Sequence, residues 1–221
     1  MIVGDWKPIE TILDYLGERE RILIAGCNGC VTVCNAGGQK EVDMLARILD
    51  LAGKKRGRPF QITKITVERQ CDPEFLPELL ALAGEHDAVL SMACGAGVQL
   101  VAEHAQGREV FPALDTNFIG AVERKGEWGE RCQACGDCKL FVTGGICPVT
   151  RCSKSLMNGP CGGSRDGKCE VDPAIPCGWN LIIDRLEALG RLDQYEIIQA
   201  PADWSKSRDG GPRKLIRKDL Q

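Results

Sequence analysis

The sequence predicts an α/β fold, an open parallel sheet with flanking helices, followed by a small cysteine-rich domain. Three observations predict it. Short apolar runs alternate with segments of helical periodicity in the first half of the chain. From about residue 126 this periodicity stops, and cysteine and glycine become frequent. The chain has 221 residues, of which 43% are hydrophobic and 5% aromatic, so it can bury an aliphatic core and add a smaller domain.

The predicted elements alternate along the first half. An amphipathic helix over residues 8–17 comes first, with proline at its start and glycine at its end. The predicted strands are 21–26, 60–68, 88–92 and 110–114, and the predicted helices between them are 38–53, 73–84 and 97–104. Strands separated by helices of this length imply βαβ units, so residues 20–118 are predicted to form a flavodoxin-like layer. In a sheet where the first of these strands lies between the second and the third, both of those strands are its neighbours.

The composition predicts three segments. Residues 1–125 form the α/β domain, residues 126–200 form the cysteine-rich domain, and residues 201–221 form a polar, extended tail. A helix at 180–189 ends the second segment. Residues 126–179 hold little apolar surface, so we expect bound metal clusters to stabilise them.

Charge and cysteine content exclude several classes of protein. The net charge of −3, from 28 basic and 31 acidic residues, gives no electrostatic footprint for nucleic acid. No signal peptide and no membrane span are expected, so the predicted location is the cytoplasm.

Disulfides are disfavoured in the cytoplasm and 13 cysteines cannot all pair, which leaves metal coordination as the role of the cysteines. His86 and His104 are not beside a cysteine and are predicted to lie on the surface.

The first group of cysteines lies in GCNGCVTVC at residues 26–34. Cys27, Cys30 and Cys34 are predicted on the turn between a strand and a helix, where close thiolates require a cation or cluster to offset their repulsion. A fourth ligand comes from Cys94 or from Cys71, because both follow neighbouring strands. Cys94 is preferred, since its flanking glycines permit close approach of the backbone.

Eight further cysteines follow between residues 132 and 177 and suffice for two sites of four thiolates. They are Cys132, Cys135, Cys138, Cys147, Cys152, Cys161, Cys169 and Cys177. The opening C-x2-C-x2-C is typical of bacterial ferredoxins, in which a later Cys-Pro ligates a second cubane cluster. Cys147-Pro148 has this form after a longer gap, so Cys147 is predicted to open a second set that continues to Cys177.

These spacings predict two or three [4Fe-4S] clusters, the third being held by the N-terminal cysteines. Zinc is the alternative occupant, above all for part of the 147–177 set, although zinc sites more often use paired cysteines or histidines. The glycines around these cysteines do not form a phosphate-binding loop, and we expect them to let backbone N–H groups approach cluster sulfur.

Several motifs occur in an order that resembles a known family. They are GCNGCVTVCNAGGQKEV, RQCDPE, ACGAGVQ, CQACGDC, TGGICPVTRCSKSLMNGPCGG, GKCEVDP and CGWNLIIDRLEALGRLD. Over roughly residues 10–205 the chain resembles the methylenetetrahydrofolate reductase C-terminal domain family. More narrowly, it is similar to the iron–sulfur small subunit (MetV-type) of the acetogen reductase.

This resemblance implies an electron-transfer subunit without catalytic residues of its own. The expected partner is a flavin-containing catalytic subunit that reduces 5,10-methylenetetrahydrofolate to 5-methyltetrahydrofolate, with further donor subunits or a ferredoxin as electron source. The chain lacks the repeats of a (β/α)8 barrel and has no G-x-G-x-x-G fingerprint, which agrees with a flavin on another chain.

Three alternatives remain at this point. Zinc-bound cysteines could form only a docking surface for the reductase, without a redox role. The sheet edge could be a substrate site with Cys71 as an open ligand or thiol, although no acid–base pair accompanies it. The apolar Trp204, Leu215 and Ile216 of the tail could wrap a partner, or the tail could be disordered.

Overall fold

The computed structural model describes residues 1–220. The chain forms two compact units, one over Met1–Trp128 and the other from Gly129 onward. The strands are β1 Ile2–Trp6, β2 Arg21–Cys27, β3 Gln61–Val67, β4 Ala88–Ser91, β5 Glu109–Pro112, β6 Leu114–Arg124 and β7 Glu127–Cys132. The α-helices are α1 Ile9–Leu16, α2 Cys30–Val33, α3 Gln39–Lys55, α4 Pro77–Ala83, α5 Gly95–His104, α6 Pro148–Arg151 and α7 Gly178–Ala188.

The main sheet of the first unit has four parallel strands in the order β3-β2-β4-β5. Ile22 of β2 pairs with Ile62 of β3 on one side and with Ala88 of β4 on the other. The predicted fold class is therefore confirmed, and the first predicted strand lies between the second and the third. This order places the carboxyl end of β2 between those of β3 and β4.

Helices cover both faces of this sheet. Successive side chains of a strand point to opposite faces, and β2 divides its apolar side chains accordingly. Ile22 and Ile24 are fully buried in one cluster, together with side chains from α1 and α3. Leu23 and Ala25 are fully buried in another, with side chains from α4 and α5. The uniformly apolar RILIA run reflects burial on both faces.

A second, antiparallel sheet in the order β1-β6-β7 was not predicted. Trp6 of β1 pairs with Leu114 of β6. The predicted strand at 110–114 extends too far at its C-terminal end, because β5 stops at Pro112 and Leu114 already belongs to β6. The sequence of β6, LDTNFIGAVER, gave no signal because apolar and polar residues do not alternate along it.

Two local predictions need correction. The predicted helix at 73–84 is a 3-10 turn, Pro73–Phe75, followed by α4 from Pro77. Pro77 lacks an N–H donor and restricts the residue before it, which interrupts the helix. His86 is not a surface residue: it is 7% exposed, and its ring nitrogens lie 2.7 Å from the Leu82 carbonyl and 2.7 Å from the Thr63 hydroxyl. His104 is exposed, as expected.

The second unit has a small apolar core on α7. Trp179, Ile182 and Leu186 of this helix are buried with Cys177, which precedes it. The predicted helix at 180–189 is thus present, starting two residues earlier. Residues 201–220 contain 3-10 turns at Trp204–Lys206, Arg208–Gly210 and Lys218–Leu220. In the described part of the chain, no helix has the length and apolar character needed to cross a bilayer.

Candidate metal centres

All thirteen cysteines are free thiols. Five lie in the first unit and eight in the second. Within residues 1–220, no three His, Cys, Asp or Glu side chains form a ready metal-binding group.

Four cysteines of the first unit lie at the carboxyl edge of the parallel sheet. Cys27 is the last residue of β2 and pairs with Val67, the last residue of β3. Cys30 begins α2, and Cys94 immediately precedes α5. Cys71 lies in the loop after β3; burial raises the pKa of its thiol, and the nearby charges of Cys94, Cys27 and Cys30 raise it further. The thiol of Cys71 is thus within electrostatic reach of the other three.

A buried glutamine ties the Cys71 loop to the neighbouring strands. Gln70 is fully buried, and its Nε2 donates to the carbonyl oxygens of Ala25 at 2.8 Å and Gly26 at 3.0 Å. Its Oε1 accepts from the Ser91 hydroxyl at 2.6 Å. One side chain therefore links this loop to the ends of β2 and β4. Sequence analysis missed Gln70, because a single glutamine beside a cysteine carries no motif.

The start of α5 lies directly against the same loop. A Cβ atom on Gly97 would lie 2.9 Å from the Cβ of Gln70 and 2.8 Å from that of Ala93. Any side chain at this position would force the helix and the loop apart. The absence of a side chain at Gly97 therefore keeps the segment of Cys94 next to the segment of Cys71.

Cys34 has different surroundings. It is 6% exposed, and its thiol donates to the carbonyls of Gly4 at 3.7 Å and Val31 at 3.5 Å. Burial raises the pKa of this thiol. It packs in an apolar cluster with Val3 of β1 and Leu114 of β6, which also contains Cys27. The thiol of Cys34 thus points to the backbone of the antiparallel sheet.

In the second unit, one cavity of about 120 Å³ is lined by four cysteines, Cys132, Cys135, Cys138 and Cys147. The hydroxyl of Thr150, on α6, donates to the carbonyl of Arg131 at 3.0 Å. This bond fixes the helix that follows Cys147 beside the residue that precedes Cys132. The structure therefore brings the Cys-Pro cysteine to the C-x2-C-x2-C loop.

The C-terminal tail contacts this loop. The backbone N–H of Asp203 donates to the Asp137 carboxylate at 3.2 Å. The neighbouring Lys139 lowers the pKa of Asp137, and the bond from Asp203 adds to the effect. Gly136 has φ +82°, and a Cβ there would lie 2.6 Å from the carbonyl oxygen of Lys206. Only glycine fits under the tail at this position.

The other four cysteines of this unit, Cys152, Cys161, Cys169 and Cys177, lie in linked loops. The Cys169 thiol donates to the Ser153 hydroxyl at 3.3 Å. A Cβ on Gly178 would lie 2.9 Å from the backbone nitrogen of Cys152. The start of α7, which Cys177 precedes, therefore lies beside Cys152.

Cys161 is exposed and is followed by two glycines, Gly162 and Gly163. With Cys169 these glycines line an open cavity of about 520 Å³. An ion pair between Lys154 and Glu170 holds the loop after Cys152 against the loop after Cys169. The loops that contain Cys152, Cys161, Cys169 and Cys177 therefore contact one another.

The donor atoms fit soft metal centres. All three groups offer thiols, which select iron–sulfur clusters or zinc over hard cations. Among the described residues, the buried Nε1 of Trp128 finds no hydrogen-bond partner. Trp128 packs against the apolar cluster that contains Cys27, and Cys94 packs against the same cluster. Its N–H is a donor of the kind that bonds to cluster sulfur.

The fold and these thiol groups define an α/β protein with a cysteine-rich second unit. Residues 111–205 match a protein family described as methylene-tetrahydrofolate reductase C terminal. The match covers less than half of the chain and includes all eight cysteines of the second unit but none of the first. No curated protein and no solved structure matches the chain. The chain therefore contains a domain similar to the C-terminal region of that reductase.

Proposed function

We propose that this chain is the iron–sulfur electron-transfer subunit of a methylenetetrahydrofolate reductase, of the MetV type. It relays electrons to or from the flavin of a partner subunit, which reduces 5,10-methylenetetrahydrofolate to 5-methyltetrahydrofolate. One observation carries the proposal: Cys132, Cys135, Cys138 and Cys147 line a single cavity inside the region that matches the reductase family. Four thiols with C-x2-C-x2-C spacing are ligands typical of a [4Fe-4S] cluster.

The proposed ligand sets follow the loops. Cys132, Cys135, Cys138 and Cys147 hold one cluster, and Cys152, Cys161, Cys169 and Cys177 hold a second, so Cys147 belongs with the earlier cysteines. The cysteines at the carboxyl edge of the parallel sheet hold a third. Thr150 and the Lys154–Glu170 pair keep the ligand loops together, and the tail bonds to the loop of the first set.

When bound, such clusters supply a reversible change of one electron with little movement of their ligands. Reduction of the methylene group consumes two electrons and two protons. A ferredoxin or another donor subunit is oxidised by two electrons, which cross this chain one at a time, and the protons are taken up from water at the partner. The residues of this chain bind and orient the centres and tune them through burial and hydrogen bonds to sulfur.

A structural role for zinc is the second candidate, and one observation favours it for the Cys152 set. Cys177 is 9% exposed and lies in the apolar core with Trp179 and Ile182, against which Cys152 also packs. A metal bound there would stabilise the fold of the second unit directly. In that case the chain would be a docking subunit of the reductase.

Metal analysis of the full chain, purified under anaerobic conditions, tests the proposal. The expected result is about eight to twelve iron atoms per chain with equal sulfide, which corresponds to two or three four-iron clusters. The reduced chain should then transfer electrons to a co-expressed flavoprotein subunit. Negligible iron with stoichiometric zinc would overturn the relay and leave the docking role.

A further inference from the structure

The first unit contains five cysteines, one more than a four-thiolate centre needs. The spacing of Cys27, Cys30 and Cys34 alone would assign all three to one centre and leave a choice between Cys71 and Cys94. The contacts of the loops give a different division of the five residues.

The strand order places three cysteine-bearing loops together. Because β2 lies between β3 and β4, Cys27 at its carboxyl end stands between the loop that carries Cys71 and the loop that carries Cys94. The N–H of Asn28, just after Cys27, donates to the carbonyl of Val67 at 2.9 Å. The turn to Cys30 therefore starts against the end of β3.

Two contacts of Gln70 hold the segment of Cys71 beside the segment of Cys94. The amide of Gln70 bonds to the ends of both neighbouring strands, at Ala25, Gly26 and Ser91. Gly97, three residues after Cys94, lies against the Cβ of Gln70. The backbone therefore holds Cys71 and Cys94 at the same edge at once, and neither residue displaces the other.

The side chain of Cys34 points away from this edge. Cys27 is equally buried in the same apolar cluster, but its thiol bonds to the carbonyl of Glu68, directly after β3. The thiol of Cys34 bonds instead to the carbonyl of Gly4 in β1 and packs with Val3 and Val31. As a ligand at the sheet edge it would have to leave that carbonyl and vacate a filled apolar site. Both changes cost free energy in a packed core.

We infer that the centre at the sheet edge is held by Cys27, Cys30, Cys71 and Cys94, that Gln70 is a positioning residue for Cys71, and that Cys34 is a packing residue. The identity of the group as an iron–sulfur cluster rests on the proposed function. The choice of ligands does not, because four thiols at this edge would equally bind zinc.

Single substitutions in the full chain test the ligand set. Cys71→Ala and Cys94→Ala are compared with Cys34→Ser, which preserves the size of the buried side chain. Iron, zinc and sulfide per chain are measured after anaerobic purification, and far-UV circular dichroism checks folding. Each alanine variant should lose the metal of one centre, about four iron atoms if the occupant is a cluster. Cys34→Ser should keep the wild-type metal content.

Loss of one centre in Cys34→Ser, with full metal in Cys71→Ala or Cys94→Ala, would overturn the inference. Wild-type metal content in all three variants would overturn it as well. Failure of the proposed function has a different signature: zinc replaces iron in the wild type, while the alanine variants lose one zinc atom each.

Gln70→Ala tests the positioning role, with Gln99→Ala on the exposed face of α5 as the matched control. Gln70→Ala should lower the occupancy of the sheet-edge centre and change its electron paramagnetic resonance signal, while the signals of the second unit persist. A purely structural role would lower Tm and leave the metal content and the spectrum unchanged, and that result would overturn the role assigned to Gln70.

Discussion

The guanidinium of Arg213 donates a hydrogen bond of 2.6 Å to the carbonyl of Ala134, in the loop between Cys132 and Cys135. Ala134 has φ +52°, in the left-handed region that residues other than glycine seldom adopt. The same nitrogen of Arg213 donates to the carbonyl of Lys206 at 3.0 Å. A residue of the tail thus stabilises a strained turn of the proposed cluster loop, while the apolar Leu215 and Ile216 are exposed.

Substitution of Arg213 should make this loop open more often. Arg213→Ala removes two hydrogen bonds, and a net loss of about 1 kcal/mol corresponds to roughly fivefold more frequent opening. The centre of the Cys132 set should therefore lose iron about fivefold faster in air, measured by the decay of visible absorbance. Arg217→Ala is the control, because Arg217 pairs with Asp219 inside the tail. Equal decay in the two variants would refute the protective role of the tail.

The pairing of the eight cysteines in the second unit can be tested at Cys147. If Cys147 shares a centre with Cys138, then Cys138→Ala, Cys147→Ala and the double variant should all lose the same spectral component. Each should retain about half to two thirds of the iron of the wild type, because one of two or three centres is lost. Cys152→Ala should remove a different component. Loss of the same component in Cys147→Ala and Cys152→Ala would instead place Cys147 in the later set.

Helix α3 offers a matched pair for the stability of the first unit. Leu49 is fully buried between the helix and the sheet, whereas Leu51 is 67% exposed on the same helix. Leu49→Ala should lower the free energy of unfolding by about 3 kcal/mol, through lost apolar contacts and the cavity that remains. Leu51→Ala should change it by less than about 0.5 kcal/mol. Urea unfolding followed by circular dichroism under anaerobic conditions measures both values.

Asp87 should make stability depend on pH in the acidic range. Hydrogen bonds from the backbone and the guanidinium of Arg21 lower the pKa of Asp87 from 3.8 to about 2. A pKa lowered by folding contributes stability above pH 3.8, which is lost as the pH falls toward 2. Asp87→Asn should therefore lower Tm at pH 7, and the difference from the wild type should shrink below about pH 4.

The control for this prediction is Asp50→Asn, since Asp50 pairs with Lys54 on the exposed surface of α3. Exposed pairs of this kind contribute little, so Tm should hardly change at any pH. If the difference in Tm between Asp87→Asn and the wild type stays constant from pH 7 to about 2, the lowered pKa of Asp87 is not the cause of the stabilisation.

Much of the fold followed from the sequence, because burial on both faces produces uniformly apolar strands and the helices between them keep a regular period. The runs at β2, β3 and β4 predicted the parallel sheet, and the structure placed β2 between the other two. The antiparallel sheet was missed, since β1 and β6 pair across more than one hundred residues and neither has a strong pattern. The Pro77 break in the predicted helix was also missed, although proline chemistry could have signalled it.

For the candidate sites, the sequence by itself determined that the chain carries cysteines in three-cysteine runs and that Cys27, Cys71 and Cys94 each follow a predicted strand. Only the tertiary structure decided which cysteines share a loop cluster. It placed Cys147 at the cavity of Cys132, turned Cys34 toward Gly4, and fixed Cys71 beside Cys94 through Gln70. The physical reason is that spacing constrains only neighbours along the chain, whereas ligand sets depend on contacts between distant segments and on the direction in which each buried side chain points.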